Sequence, residues 1–152
     1  MKNYWLLKSE PDSYSIDDLC KDGQTLWEGV RNYQARNFMT QSMQENDIAL
    51  FYHSSAEPTG IVGLAQITKT NVVDQLQFQK KSDFYDPKAT KEKPIWFCAE
   101  VMFIEKFKNV VELSELKKHR ELSQMKVIQR GQRLSVQPVT EAEFQFISKL
   151  IK

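Results

Sequence analysis

Apolar positions in this chain fall into short runs broken by polar, turn-forming clusters. "NYWLLK" (Asn3 to Lys8) has the aromatic and aliphatic density of a buried strand, and "SEPDSYS" stops it, because Pro11 disfavours helix at Glu10. In "SIDDLCKDG", Ser15 stands three residues before Asp18 as in a capping box and Gly23 offers a stop, so a short helix is expected between them. "QTLWEGV" reads as a short strand or extended segment, and "NYQARNFMTQSM" as a helix with Asn32 placed to cap it. "DIALFYHS" (Asp47 to Ser54) and "GIVGLAQITKTNVV" (Gly60 to Val73) read as sequential antiparallel strands, the two glycines of the second marking a bend or bulge.

"QLQFQK" is weakly helical, and Lys81 to Pro94 is a polar loop of fourteen residues, long enough to suggest function. The β-branched and aromatic run "IWFCAEVMFIEKF" (Ile95 to Phe107) predicts a long strand that curves around a barrel. Beyond Val111 the chain reads as helical, with "LSELKKHREL" and "SQMKVIQR" as amphipathic helices; "RLSVQPV" is a short strand that Pro138 ends or places at an edge, and Thr140 with Glu143 forms a second capping box. Five or six strands interleaved with short helices, without βαβ alternation, predict an α+β domain around a small, strongly bent sheet or barrel. Neither repeat nor linker divides residues 1–152, so a single domain is expected.

At 152 residues a chain buries roughly two-thirds of its unfolded surface and needs no staples. Cys20 and Cys98 have no companions that would suggest a disulfide framework or metal site, which fits a reducing, cytoplasmic setting. The apolar run before Lys8 is too short for a signal peptide or a membrane span, so no membrane partner is expected. The net charge of +1 hides an asymmetry: Lys106 to Arg133 holds eight Lys/Arg against three Glu. Such a cluster is either a solvated helical surface or a face that meets phosphates.

The chain has no Walker-type loop, G-x-G-x-x-G, G-x-S-x-G or H-E-x-x-H, and only two histidines, His53 and His119. No cofactor, metal or catalytic residue is therefore assigned, although Ser9 or Ser54 with His53 and Asp86 could be assembled into a triad on paper. What the sequence does hold is Trp27, Arg31, Asn32, Tyr33, Arg36, Tyr52, His53, Ser54, Tyr85, Asp86 and Trp96 at expected strand ends and loops. Aromatic faces that stack a flat heterocycle, amides and carboxylates that read its edge, and arginines that meet phosphate make up a nucleobase pocket. Each residue also has a structural role open to it: Trp27 and Trp96 as core, Asn32 as a cap, Arg31 and Arg36 as surface partners, Asp86 in an Asp-Pro turn.

The segments "YWLLKSEP", "WEGVRNYQARNFM", "FYHS", "GIVGLAQI", "FYDP…PIWF" and "RLSVQPVTEAEF", in this order and spacing, resemble the EVE domain from Tyr4 to about Ile147. Asn46 stands where that family often has Gly, and Asn tolerates the same left-handed backbone. The resemblance implies a PUA-like fold, a small curved barrel of five to six strands with short helices outside, related to YTH and SRA modules. It also implies a cleft containing the Ser9 to Pro11 turn, Trp27 through Tyr33 with Val30, the "YHS" strand end and Trp96. In that cleft Trp27 and Trp96 would stack a base, while Ser9, Asn32, His53, Ser54 and Asp86 would read its edge. Arg31 or Arg36 would meet phosphate, with Lys117, Lys118, Arg120 and Arg133 guiding the backbone.

The resulting expectation is a monomeric, non-enzymatic reader of a modified DNA or RNA base, nucleoid-associated in a bacterium or nuclear in a eukaryote. A small hydrolase acting on a modified nucleoside, with His53 and Asp86 as acid and base, is the alternative. A module with an aromatic cage for a peptide or methylated side chain ranks third, because this inventory has many donors.

Overall fold

The computed structural model describes residues 2–151. Six strands, β1 (Tyr4–Ser9), β2 (Gln24–Leu26), β3 (Ile48–His53), β4 (Gly60–Val73), β5 (Phe97–Glu112) and β6 (Val136–Val139), form one sheet. Their spatial order is β2-β5-β4-β3-β1-β6. β1 and β3 run parallel and the other pairs antiparallel, including the expected β3–β4 neighbours. Four α-helices accompany the sheet among the described residues: α1 (Ile16–Asp22), α2 (Tyr33–Asn37), which runs on into a π-helical turn (Phe38–Ser42), α3 (Leu113–Leu116) and α4 (Glu141–Leu150).

Side-chain alternation divides the core between the two faces of the sheet. Trp5, Leu7, Ala49 and Phe51 pack with Trp27, Leu19 and Met39 on one face, and Leu6, Leu50 and Tyr52 with Phe107, Leu116 and Ile147 on the other. The sheet is open rather than a closed barrel: β2 and β6 are its edges, and no pairing joins them. β2 is only three residues long, and Pro138, opposite Trp5 on β6, has no N–H to offer a further strand. The expected bulge appears where the β4–β5 register shifts between Ile61 and Gly63. A Cβ on Gly63 would come within 2.4 Å of the Glu105 carbonyl oxygen, so the close approach of backbones there requires glycine.

The two capping boxes form as their spacing predicts, with Ser15 and Asp18 opening α1 and Thr140 and Glu143 opening α4. Asn46 takes the left-handed backbone with φ 76°. Next to it, buried Asp47 accepts hydrogen bonds from the Trp5 indole and from the Asn3 and Gln44 amides, tying β1 to the entry of β3.

Three expectations are corrected. The long strand starts at Phe97 rather than Ile95, because the Ile95 and Trp96 amides donate to the Gln77 side chain instead of a ladder. It also runs on to Glu112, where it pairs with the start of β4. The amphipathic stretches that follow form α3 and two single 3₁₀ turns, Arg120–Leu122 and Lys126–Ile128, rather than two helices; none of the three has a side-chain cap, and single apolar residues anchor them.

His53 ends β3 and accepts a hydrogen bond from the Ile16 amide at the start of α1, 3.1 Å away. Burial holds its pKa below the ordinary histidine value. The unfolded chain therefore takes up the proton first, and the stability His53 contributes is complete above about pH 6.5 and is lost as the pH falls below it. Urea unfolding between about pH 7.5 and 5.5 should show that loss, and His53→Gln, which keeps an acceptor without a titrating ring, should flatten it.

Candidate nucleobase cleft

At the end of β1 the chain turns through Glu10, whose carbonyl accepts from the Ser13 and Tyr14 amides. Ser9 Oγ closes that turn by donating to the Tyr14 carbonyl at 2.6 Å. Facing it, the Trp27 amide donates to the Ala99 carbonyl, which fixes the indole just beyond β2. Trp27 is 8% exposed and meets the rings of Tyr14 and Phe51 edge-on. Between the turn and the strand opens a cleft of about 600 Å³, walled by Ser9, Ser13, Tyr14, Trp27 and Phe84, with Lys8, Glu10 and Ser135 at its borders.

Past Trp27 the chain leaves the sheet, and Asp74 controls its path. This carboxylate is 1% exposed; its Oδ2 accepts from the Gly29 amide at 2.9 Å and from Arg31 Nη1 at 3.0 Å, and its Oδ1 from the Leu76 amide. Arg31 in turn donates to the Phe84 and Val30 carbonyls, and its guanidinium lies against the Phe84 and Trp96 rings. Nη2 of Arg31 is buried without a partner among the described residues.

Behind Arg31 stands a supporting layer. The Trp96 indole donates to Asp86 at 2.8 Å, a bond that holds the Asp86 carboxyl below its ordinary pKa, helped by the Lys88 amide. Gln77, fully buried, donates to the Asp74 and Trp96 carbonyls and accepts from the Ile95 and Trp96 amides, so its amide is fully used. Burial biases the ionisable groups of the cleft toward neutrality: it lowers the pKa of Lys8, and it raises that of Glu28, with Asp74 adding to the effect and Arg31 opposing it. Tyr14, desolvated and bonded to Asp22, is pushed up to about 12.

Of the residues singled out in the sequence, Ser9, Trp27, Val30 and Arg31 line the cleft together. Asn32 caps α2 by accepting from the Ala35 amide; Asp86 and Trp96 belong to the layer behind Arg31, Tyr33 is exposed and stacks on Trp96, and none of the three is on the cleft lining. Three others are placed elsewhere. Tyr52 is buried in the opposite face of the sheet, His53 braces α1, and the Ser54 amide supports the Ser9 carbonyl. Arg36 is held by the Ile95 carbonyl and Asn37 rather than left free for phosphate. Lys117, Lys118 and Arg120 sit on the segment anchored by Leu116 and Leu122 in the opposite-face cluster, whereas Arg133 is exposed two residues before Ser135.

Sequence reasoning missed Tyr14 and Phe84 on the lining, and Asp74 and Gln77 beneath it, while Glu28 and Gly29 fell inside the expected Trp27 to Tyr33 stretch without a role of their own. Phe84 carried a legible signal, an aromatic residue inside a polar loop. Gly29 has φ 85°, and a Cβ there would meet the Phe84 ring at 3.1 Å. Gly29→Ala should displace Phe84 and lower unfolding stability by about 1 kcal/mol, read as a fall in Tm with an altered Phe84 ring environment by NMR.

Similarity to known proteins identifies the family of the chain. A family model described as EVE domain matches residues 3–150. Mouse thymocyte nuclear protein 1 is 43% identical over 99% of this chain and 74% of its own length. A crystal structure of a Pseudomonas syringae protein is 46% identical, with a TM-score of 0.92 over 97% of this chain and 98% of that one. The human THYN1 protein, solved in complex with 5-methylcytosine containing DNA, is 39% identical with a TM-score of 0.91 over 98% of this chain and 97% of that one. The fold, the matched length and the identity agree, and the chain belongs to the EVE domain family.

Proposed function

We propose that this protein is a non-enzymatic reader that takes a modified nucleobase out of its stack into the cleft between the β1 turn, Trp27 and the Phe84 loop. The observation that carries this reading is the chemistry of the cleft: three aromatic rings, Tyr14, Trp27 and Phe84, around the polar groups of Ser9, Ser13 and Glu28. Stacking supplies roughly 1–3 kcal/mol per base, and polar groups that accept from an exocyclic amine choose among bases. The human relative solved with 5-methylcytosine DNA supports DNA as the polymer and a methylated cytosine as the kind of base. An RNA strand with the same base would present the same edge, so the two polymers should differ through the sugar.

In this reading Lys8, on the cleft lining, and Arg133, next to Ser135, take the phosphate role first expected of Arg31 and Arg36. Lys117, Lys118 and Arg120 add only to the longer-range field. A nucleoside hydrolase would need His53 and Asp86 at the cleft; His53 is bonded to Ile16, and Asp86 to Trp96 and Lys88.

Fluorescence anisotropy should show a short strand with one 5-methylcytosine binding more tightly than its unmethylated counterpart, and more weakly as salt rises. Phe84→Ala, at an exposed position, should weaken binding about ten-fold. Equal affinity for both strands, with no effect of Phe84→Ala, overturns the reading.

A further inference from the structure

A second planar surface lies outside the cleft. Tyr33 is 57% exposed, yet its ring is held: it stacks on Trp96 with centroids 4.8 Å apart and planes 24° from parallel, and the Arg36 guanidinium carbon lies 4.8 Å from its centroid. Neither support is free to drift. Trp96 is 4% exposed and anchored through Asp86 and Gln77, and Arg36 donates to the Ile95 carbonyl at 3.0 Å and twice to Asn37 Oδ1. A large aromatic ring braced by two supports while exposed is preorganised for a stacking partner.

Beside this ring lies a separate depression of about 390 Å³, bordered by Arg36, Asn37, Gln41, Asn71 and Phe97, with no lining residue in common with the cleft. Its lining joins Arg36, three side-chain amides and the Thr40 hydroxyl with Pro94, Ile95 and Phe97, a mixture of polar groups and flat apolar surface that suits a base. Trp96 links the two places, since it contacts Arg31 of the cleft wall as well as Tyr33. Arg31 and Tyr33 are thus neighbours through one shared ring.

We infer that Tyr33 and Arg36 form a second nucleotide site, outside the cleft, which stacks the base adjacent to the inserted one. This rests on the reader function proposed above and extends it from one base to two. The inserted base sets the modification read; the neighbour adds affinity with little choice of sequence, because every base offers a π face.

The test compares wild type, Tyr33→Ala and Tyr33→Phe on four probes: 5-methyl-dCMP, a single-stranded nonamer with one central 5-methylcytosine, its unmethylated counterpart, and the methylated nonamer with abasic positions on both sides of the modified base. The wild type should bind the intact nonamer about ten-fold more tightly than the abasic-flanked one. Tyr33→Ala should erase that difference and leave 5-methyl-dCMP binding unchanged, and Tyr33→Phe should keep it. If the wild type prefers methylated probes but ignores both abasic flanks and Tyr33→Ala, the second site is wrong and the cleft reading stands. If Tyr33→Ala weakens nonamer binding while methylated and unmethylated probes bind alike, the cleft reading falls and the stacking surface survives. Absence of binding to every probe overturns both.

Discussion

The cleft wall depends on one buried carboxylate. Asp74 directly follows β4 and is closed to water, yet it accepts from two backbone amides and one guanidinium. A buried charge is tolerated only when its partners are complete, and removing one partner exposes the cost of the others. Here completeness requires that the Gly29 backbone and the Arg31 side chain come to Asp74. The constraint then spreads: Arg31 holds the Phe84 carbonyl, Gly29 leaves room for the Phe84 ring, and Gln77 binds the Asp74 carbonyl to Trp96.

The sheet supplies what this latch fastens. Because β1 runs parallel to β3 and beside β6, the ends of β1 and β3 lie together, and the Ser9 turn faces Trp27 beyond β2. Both faces of the sheet are occupied by core, so the cleft can open only at a strand end, where side chains leave the layers. The result is a polar and aromatic cleft on a rigid support, the arrangement that positions ligand-binding loops most firmly.

Local devices were legible in the sequence, and distant ones were not. The Ser15 and Thr140 capping boxes, the Asn32 cap, the Asn46 turn and the edge role of Pro138 each involve neighbours a few residues apart, and each appears in the structure. Trp27, Val30 and Arg31 were legible as a cluster of unusual composition. Asp74 and Gln77 were not, because their partners lie far along the chain; Gly29 is 45 residues from Asp74. Tyr52 could have been placed by alternation: it shares a face with Leu50, opposite Phe51 and hence opposite the cluster that holds Trp27. The segment after Val111 misled because amphipathic composition without caps sustains single turns as readily as helices.

Amide hydrogen exchange at Gly29, compared between wild type and Asp74→Ala, tests the central claim without reference to any ligand. The account predicts slow exchange at Gly29 in the wild type and exchange approaching that of an open loop in the variant, while the β3 amides of Leu50 and Phe51 stay protected. Unchanged protection of Gly29 in Asp74→Ala would contradict it.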